Sequence, residues 1–161
     1  MSREASVTTP DRVYPRAEAA AALPDHLYRR WSRYGGSPDA TYFAALLGLV
    51  VEDVRVDYCR MRLPWRTEIS QPFGVAHGGA LSSLLDSSVV PAIGSGYETA
   101  VNFATVDMTV QFLGALKDED AIAEGWITQR GRSVIFCEAE AIGAQSGRRV
   151  ARAVLTYRVA G

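Results

Sequence analysis

The residues of this chain that could do chemistry are concentrated in positions 71–86. Gly78 and Gly79 predict a helix start at which a ligand can approach unpaired backbone N–H groups closely. The positive end of the helix dipole adds to this, so the Gly78 N–H is a candidate donor to an acyl oxyanion. Asp86 is the single carboxylate of the apolar helix that follows. It is a candidate nucleophile or general base, and a satisfied structural carboxylate is the alternative.

The spacing of Gly78 and Asp86 sets a geometric constraint. They are eight residues apart, which is about 12 Å along a helix that rises about 1.5 Å per residue. Both partners of one reacting carbonyl must lie within about 3 Å of it, so one chain cannot supply both. Two antiparallel helices related by a twofold axis can. The spacing therefore predicts a homodimer with two shared sites. We also expect two dimers to assemble into a tetramer by sheet-to-sheet packing, an expectation that does not follow from this spacing.

The elements that position these residues follow from hydrophobic periodicity. A helix is predicted from about Gly78 to Val90, ended by Pro91 and Gly94. Alternating runs joined by short turns predict antiparallel strands, and polar, proline-interrupted residues 1–20 predict a flexible leader. The predicted strands cover 49–63 (one or two strands), 101–113, 121–129, 133–142 and 149–159, and two short helices are predicted over 24–34 and 40–47.

This order of elements predicts an α+β fold in which a curved antiparallel sheet wraps one long helix. Residues 21–161 would form a single domain with an N-terminal helical extension. The formal charge of −1 and a pI near 6.1 give no indication of a nucleic-acid or membrane partner. Cys59 and Cys137 lie in strand-like runs, which favours free thiols in a reducing cytoplasm. No His/Cys spacing suits a metal, and neither metal nor cofactor is expected.

The central stretch also resembles a known family, the hotdog-fold acyl-CoA thioesterases of the phenylacetyl-CoA (PaaI-like) type. The resemblance covers about residues 40–160 and rests on His77-Gly-Gly79 with Asp86 nine residues after the histidine. The supporting motifs are Gln71-Pro-Phe-Gly-Val-Ala76, Thr105-Val-Asp-Met-Thr-Val-Gln-Phe112, Arg130-Gly-Arg132 and Gly147-Arg-Arg-Val-Ala-Arg-Ala153.

The resemblance implies a role for each matching residue. Asp86 would be the nucleophile or general base, and the Gly78 N–H would bind the thioester carbonyl. Gln71 stands where the family usually has asparagine and would orient the reacting groups. Thr105 would position water or the carboxylate. His77 would lie near the leaving sulfur, although a purely structural role at the helix start is an equal alternative.

Two departures from the family pattern concern coenzyme A and the pocket. Gly114 replaces a frequent arginine, which removes a possible basic contact to the nucleotide, and Pro91 is expected to shorten or kink the helix. Arg130, Arg132 and Ser133 are the remaining candidates for binding the coenzyme A moiety, with a solvated strand end as the alternative.

The predicted function is hydrolysis of an acyl-CoA thioester to an acid and coenzyme A. Two other classes stay open: a non-catalytic acyl-CoA-binding module, and a dehydratase or hydratase on the same fold. The second would need a paired histidine and carboxylate, for which the sequence offers little. Phe73, Phe103 and Trp126 are predicted to belong to the core, with the substrate pocket as the alternative.

Overall fold

The computed structural model describes residues 12–35 and 42–160 of the chain. The described residues form four helices: α1 (Pro15–Ala19), α2 (Asp25–Trp31), α3 (Phe43–Leu46) and α4 (Gly78–Gly94). They also form six strands, which are β1 (Val50–Arg55), β2 (Tyr58–Leu63), β3 (Asn102–Phe112), β4 (Ala121–Arg130), β5 (Val134–Gly143) and β6 (Arg149–Ala160). A 3₁₀ turn at Thr67–Ile69 leads towards α4. Within these residues no helix is long and apolar enough to cross a membrane.

The strands form one antiparallel sheet in the order β1-β2-β4-β5-β6-β3. Neighbours in sequence pair through short turns, except that β3 lies beyond β6 at the far edge. The predicted α+β fold, with one long helix wrapped by a curved antiparallel sheet, is confirmed. The run over 49–63 is two strands, because Asp57 takes a positive φ of 59° and reverses the chain.

The long helix α4 packs its apolar side into the sheet. Residues on this side are almost completely buried, with Leu84, Leu85 and Val89 at 0% exposure. The opposite side carries Gly79, Asp86 and three half-buried serines, Ser82, Ser83 and Ser87. Because a helix places residues three and four apart on one face, the apolar spacing decides which side of α4 remains open.

Gly125 of β4 is the point at which α4 comes nearest to the sheet. A Cβ atom there would lie 2.6 Å from Ser88 Oγ and 2.7 Å from the Ser88 carbonyl carbon. A missing side chain at this position lets the helix backbone rest directly on the strand. Gly94 plays a related part at the end of α4, where the Trp31 ring of α2 occupies the space that a side chain would fill.

Two predictions about helices need correction. The leader predicted over residues 1–20 is helical at Pro15–Ala19, and Tyr14 and Ala17 are buried against Tyr58 and Ile122 on the outer face of the sheet. Residues 1–11 lie outside the described part.

The helix α4 also does not end at Pro91. Proline removes one N–H donor, but Ala92 and Ile93 are fully buried, and their packing supports another turn to Gly94.

Gly125→Ala is expected to destabilise the protein by about 1–3 kcal/mol, because the new methyl group overlaps the Ser88 backbone and forces α4 away from the sheet. Urea unfolding measures this. Thr128→Ala, an exposed change on the same strand, should stay within about 0.5 kcal/mol of the parent. Equal stability of both variants would contradict the close helix–strand contact.

Candidate active site

The start of α4 has a free backbone donor. His77 is the N-cap residue, and its Nδ1 accepts a hydrogen bond of 2.9 Å from the Gly79 N–H. The Ala80 N–H bonds the His77 carbonyl. Among the described residues, nothing accepts from the Gly78 N–H, which is one of the donors that a helix start leaves unpaired. The arrangement at Gly78 can therefore bind an anionic oxygen.

Gln71 holds the turn that leads into this helix start. Its side-chain Oε1 accepts from the Phe73 N–H at 2.8 Å, and its carbonyl accepts from the Gly74 N–H. Gly74 has a φ of 74°, which glycine adopts without strain. The turn projects Phe73 into solvent at 90% exposure, so the prediction that Phe73 belongs to the core is wrong.

Asp86 is held by two hydroxyl groups. Thr105 Oγ1 donates to Asp86 Oδ1 at 2.9 Å, and the Tyr157 hydroxyl donates to the same oxygen at 2.6 Å. The Tyr157 hydroxyl also lies 3.1 Å from the Asp86 carbonyl oxygen. No donor within the described residues engages Asp86 Oδ2. One carboxylate oxygen is thus fixed and the other is available.

The register of the sheet brings both hydroxyls to Asp86. Thr105 of β3 and Tyr157 of β6 are directly paired across the two strands. The pairing shifts between Thr105 and Asp107, which makes Val106 the extra residue of a β-bulge. Asp107, one position beyond the bulge, is exposed.

Tyr157 was not anticipated as a site residue. It is 2% exposed, and burial together with the Asp86 charge raises the pKa of its phenol far above the usual range, so the group remains a proton donor. The Phe103 ring packs against it edge-on at 6.1 Å, and the Trp31 ring lies 6.5 Å from Phe103. The sequence feature that could have indicated this residue is a tyrosine on the inward face of β6, which is otherwise apolar.

A cavity of about 560 Å³ opens beside Asp86. Its lining combines the carboxylate with residues from α3 and from the segment after α2, namely Arg33, Tyr34, Gly35, Tyr42, Phe43, Ala44, Asp86 and Ser87. The Ser87 side chain hydrogen-bonds Tyr34, whose phenol pKa is raised by burial. A smaller cavity of about 250 Å³ lies by His77 and Gly79 and shares Phe43 with the first. The open side of α4 is therefore a groove bounded by α3.

The residues predicted to bind coenzyme A lie at the turn between β4 and β5. The Arg130 guanidinium pairs with Asp57 and donates to the Ala92 and Ile93 carbonyls at the end of α4. Cations are favourable at this end of a helix. Arg132 and Ser133 are exposed at the same turn. The Arg130 guanidinium is therefore held by an ion pair and hydrogen bonds within the fold, whereas Arg132 and Ser133 face solvent.

Four of the five predicted catalytic residues fall into two groups on one chain. His77 and Gly78 form the helix start, next to the Gln71 turn, while Asp86 and Thr105 are in contact two helical turns away. Because α4 is continuous from Gly78 to Gly94, the axial separation of about 12 Å stands. The described part of the chain holds no cluster of three or more His, Cys, Asp or Glu side chains suited to a metal.

Comparison with known proteins agrees with this architecture. The Thioesterase superfamily model matches residues 73–149, which include the helix start, Asp86 and Thr105. A conserved protein of Pseudomonas aeruginosa is 25% identical, with a TM-score of 0.70 over 75% of this chain and 95% of that one. No curated protein matches the chain.

Two more distant structures share the fold. The PaaI protein of the Escherichia coli phenylacetic acid degradation operon is 18% identical, with a TM-score of 0.73 over 84% of this chain and 95% of that one. A Staphylococcus aureus thioesterase is 16% identical, with a TM-score of 0.71 over 75% of this chain and 100% of that one. It was solved with a glutamine replaced by alanine and, separately, with a glutamate replaced by alanine fifteen positions later.

His77→Ala is expected to cost about 1 kcal/mol of stability, since the Gly79 N–H loses its cap, while His77→Asn should retain most of it because asparagine is a good N-cap residue. Thermal unfolding of both variants checks this. Identical melting temperatures for the two would contradict the capping role.

Proposed function

Since the chain has the hotdog fold and matches the Thioesterase superfamily model over residues 73–149, we propose that it hydrolyses acyl-CoA thioesters to a free acid and coenzyme A. The observation that carries this is the composition of the open side of α4. It has an unpaired N–H at Gly78 and, two turns on, a carboxylate with one fixed and one available oxygen. Gln71 and Asp86 are also fifteen residues apart, the spacing of the two positions substituted in the Staphylococcus aureus thioesterase.

The chemistry needs a polarised carbonyl and an attacking oxygen. The Gly78 N–H donates a hydrogen bond to the developing oxyanion, and this type of contact contributes about 2.7–4 kcal/mol to the transition state. As a general base, Asp86 takes a proton from water while the water oxygen bonds to the carbonyl carbon. The tetrahedral intermediate then expels the coenzyme A thiolate, which takes that proton. As a nucleophile, Asp86 would instead bond to the carbonyl carbon and expel the coenzyme A thiolate, which gives a mixed anhydride. Water would hydrolyse this anhydride to the free acid and the Asp86 carboxylate, and the proton released would go to the thiolate.

The cysteines do not compete with Asp86 for this role. Cys59 and Cys137 are free and fully buried. Burial raises the pKa of the Cys137 thiol to about 12 and that of Cys59 further still, so neither forms the reactive thiolate at neutral pH. Two unoxidised buried thiols also support the proposal of a cytoplasmic, reducing location.

We propose that a second copy of the chain completes each site. The edge strand β3 has one unpaired edge and is exposed along most of its length, including Val106 at 60% and Phe112 at 55%. Such an edge favours pairing with another strand. An antiparallel twofold arrangement of α4 would bring Gly78 of one protomer to Asp86 of its partner.

Tetramer formation by sheet-to-sheet packing would have to use part of the outer sheet face. α1 already covers β2 and β4 through Tyr14 and Ala17. The outer faces of β5 and β6 remain open and expose Phe136 at 44% and Val154 at 57%. We propose these two strands as the surface for a second dimer.

The substrate would span two features of the structure. The acyl group fits the cavity beside Asp86, whose aromatic lining comes from Tyr34, Tyr42 and Phe43. For the coenzyme A moiety we propose contacts with Arg132 and Ser133, exposed at the β4–β5 turn that Arg130 anchors to α4. Guanidinium groups suit phosphate recognition.

Thiol release from a panel of acyl-CoAs tests the proposed function. Wild-type protein should hydrolyse at least one of them, and Asp86→Asn should lower kcat by about 10²- to 10⁴-fold, as expected for loss of a base or nucleophile. Binding of acyl-CoA without turnover by wild type would instead identify a sensor. Unchanged turnover in Asp86→Asn would exclude Asp86 as the reacting group.

Gly78→Pro tests the oxyanion donor and the shared site together. Gly78 is the first residue of α4 and His77 is extended, so the backbone accepts proline there. Proline removes the N–H and places a Cβ atom 3.0 Å from the Phe112 ring. We expect kcat to fall by about 10²- to 10³-fold. Gly78→Ala, the matched control, keeps the N–H and adds the same contact with Phe112.

Mixing the two inactive variants gives a direct test of assembly. A heterodimer of Gly78→Pro with Asp86→Asn contains one site with both groups intact, so unfolding and refolding a 1:1 mixture should recover about a quarter of wild-type activity. Failure to recover activity, with heterodimers present, would show that each chain forms its site alone.

A further inference from the structure

We infer that Tyr157 is a positioning residue for Asp86: its hydroxyl locks Oδ1 and so selects Oδ2 as the oxygen that reacts. The inference rests on the proposed function and assigns to β6 a role that the sequence motifs do not indicate. The direct evidence is the 2.6 Å hydrogen bond from the Tyr157 hydroxyl to Asp86 Oδ1. Oδ1 already accepts from Thr105, so it has little capacity left for a substrate proton.

The two donors differ in rigidity, and this makes Tyr157 the principal one. Thr105 lies next to a bulge on an exposed edge strand. Tyr157 is 2% exposed and sits on a strand paired on both sides. Phe103 packs edge-on against its ring, and Trp31 of α2 backs Phe103. Tyr157 therefore cannot turn away without disturbing packing, so its hydroxyl fixes the orientation of the carboxylate plane.

The hydroxyl also acts on the charge of Asp86. A hydrogen bond donated to a carboxylate favours its ionised form, which is the form that acts as base or nucleophile. Burial keeps Tyr157 protonated, so the donor is present throughout the working pH range. Loss of the hydroxyl should therefore make Asp86 bind a proton more readily, and the acid limb of the activity profile should move to higher pH.

The other ionisable groups near Asp86 do not titrate in the same range. Tyr34, beyond α2, and Cys137, on β5, face it, and burial raises the pKa of both, so they are neutral at neutral pH. Arg33 lines the same cavity and stays positively charged. Among these groups of one chain, the carboxylate is the one whose charge changes between acid and neutral pH. In the proposed shared site, His77 of the second copy lies next to Gly78, so the titration of Asp86 itself has to be followed.

The chain offers a matched control for a merely structural role. Tyr58 is also 2% exposed, and its hydroxyl donates to a carboxylate oxygen, Glu124 Oε1, at 2.8 Å. It belongs to the cluster on the outer face of the sheet with Tyr14 and Ala17, away from α4. Tyr58→Phe removes an equivalent buried hydrogen bond without touching the site.

The experiment compares Tyr157→Phe, Tyr58→Phe and wild type in three measurements. Thermal unfolding should show similar losses for both variants. In acyl-CoA hydrolysis, Tyr157→Phe should lower kcat by about 10- to 100-fold with KM changed less than about threefold, and should move the acid limb of kcat/KM up by about one pH unit or more. Tyr58→Phe should retain wild-type kinetics.

The third measurement does not depend on activity. In protein carrying ¹³C-labelled aspartate carboxyl groups, the signal missing from Asp86→Asn identifies Asp86, and its titration midpoint should rise in Tyr157→Phe and not in Tyr58→Phe. An unchanged midpoint, or unchanged kcat and pH profile in Tyr157→Phe, would overturn the inference. Equal kinetic losses in both variants would do so as well. A raised midpoint in a protein without thioesterase activity would support the positioning role and refute the proposed function.

Discussion

The structure depends on the packing of α4 against the concave face of the sheet. Leu84, Leu85 and Val89 are fully buried there, and Gly125 allows the helix backbone to touch β4. This contact fixes the rotation of α4 about its axis. The groups on the opposite side, including Gly79, Asp86 and Ser87, must then face the groove bounded by α3. The hydrophobic contact that stabilises the fold thus also leaves the polar groups of α4 facing the groove.

Asp86 lies at the boundary between core and groove, and its hydrogen bonds reflect this position. A carboxylate at the edge of an apolar core is costly unless donors compensate it. Thr105 and Tyr157 provide two donors to one oxygen. Oδ1 of the carboxylate therefore has two hydrogen-bond donors, whereas Oδ2 has none among the described residues. This asymmetry combines stable packing with an oxygen that is open to the groove, and it arises from two strands that the sheet places side by side.

Local patterns were sufficient to predict most of the elements. Alternation predicted the strands, and the glycine start followed by an apolar run predicted α4. Errors occurred where tertiary packing outweighed local preference. Pro91 does not end α4, because burial of Ala92 and Ile93 stabilises the turn that proline weakens. Part of the predicted leader is helical, because Tyr14 and Ala17 find an apolar surface on the outer face of the sheet. Phe73 is exposed, because its turn points it outwards.

The sequence by itself determined that Gly78 and Asp86 belong to one helix and lie about 12 Å apart along it, because a helix rises about 1.5 Å per residue. It also determined that His77 stands at the helix start. Only the tertiary structure decided what surrounds Asp86. Tyr157 is 71 residues away and reaches the carboxylate through the pairing of β6 with β3 and the bulge after Thr105. The tertiary structure also places the Arg130 guanidinium against the carbonyls at the end of α4. Strand register and bulges join distant residues, and short-range patterns do not encode which residues they join.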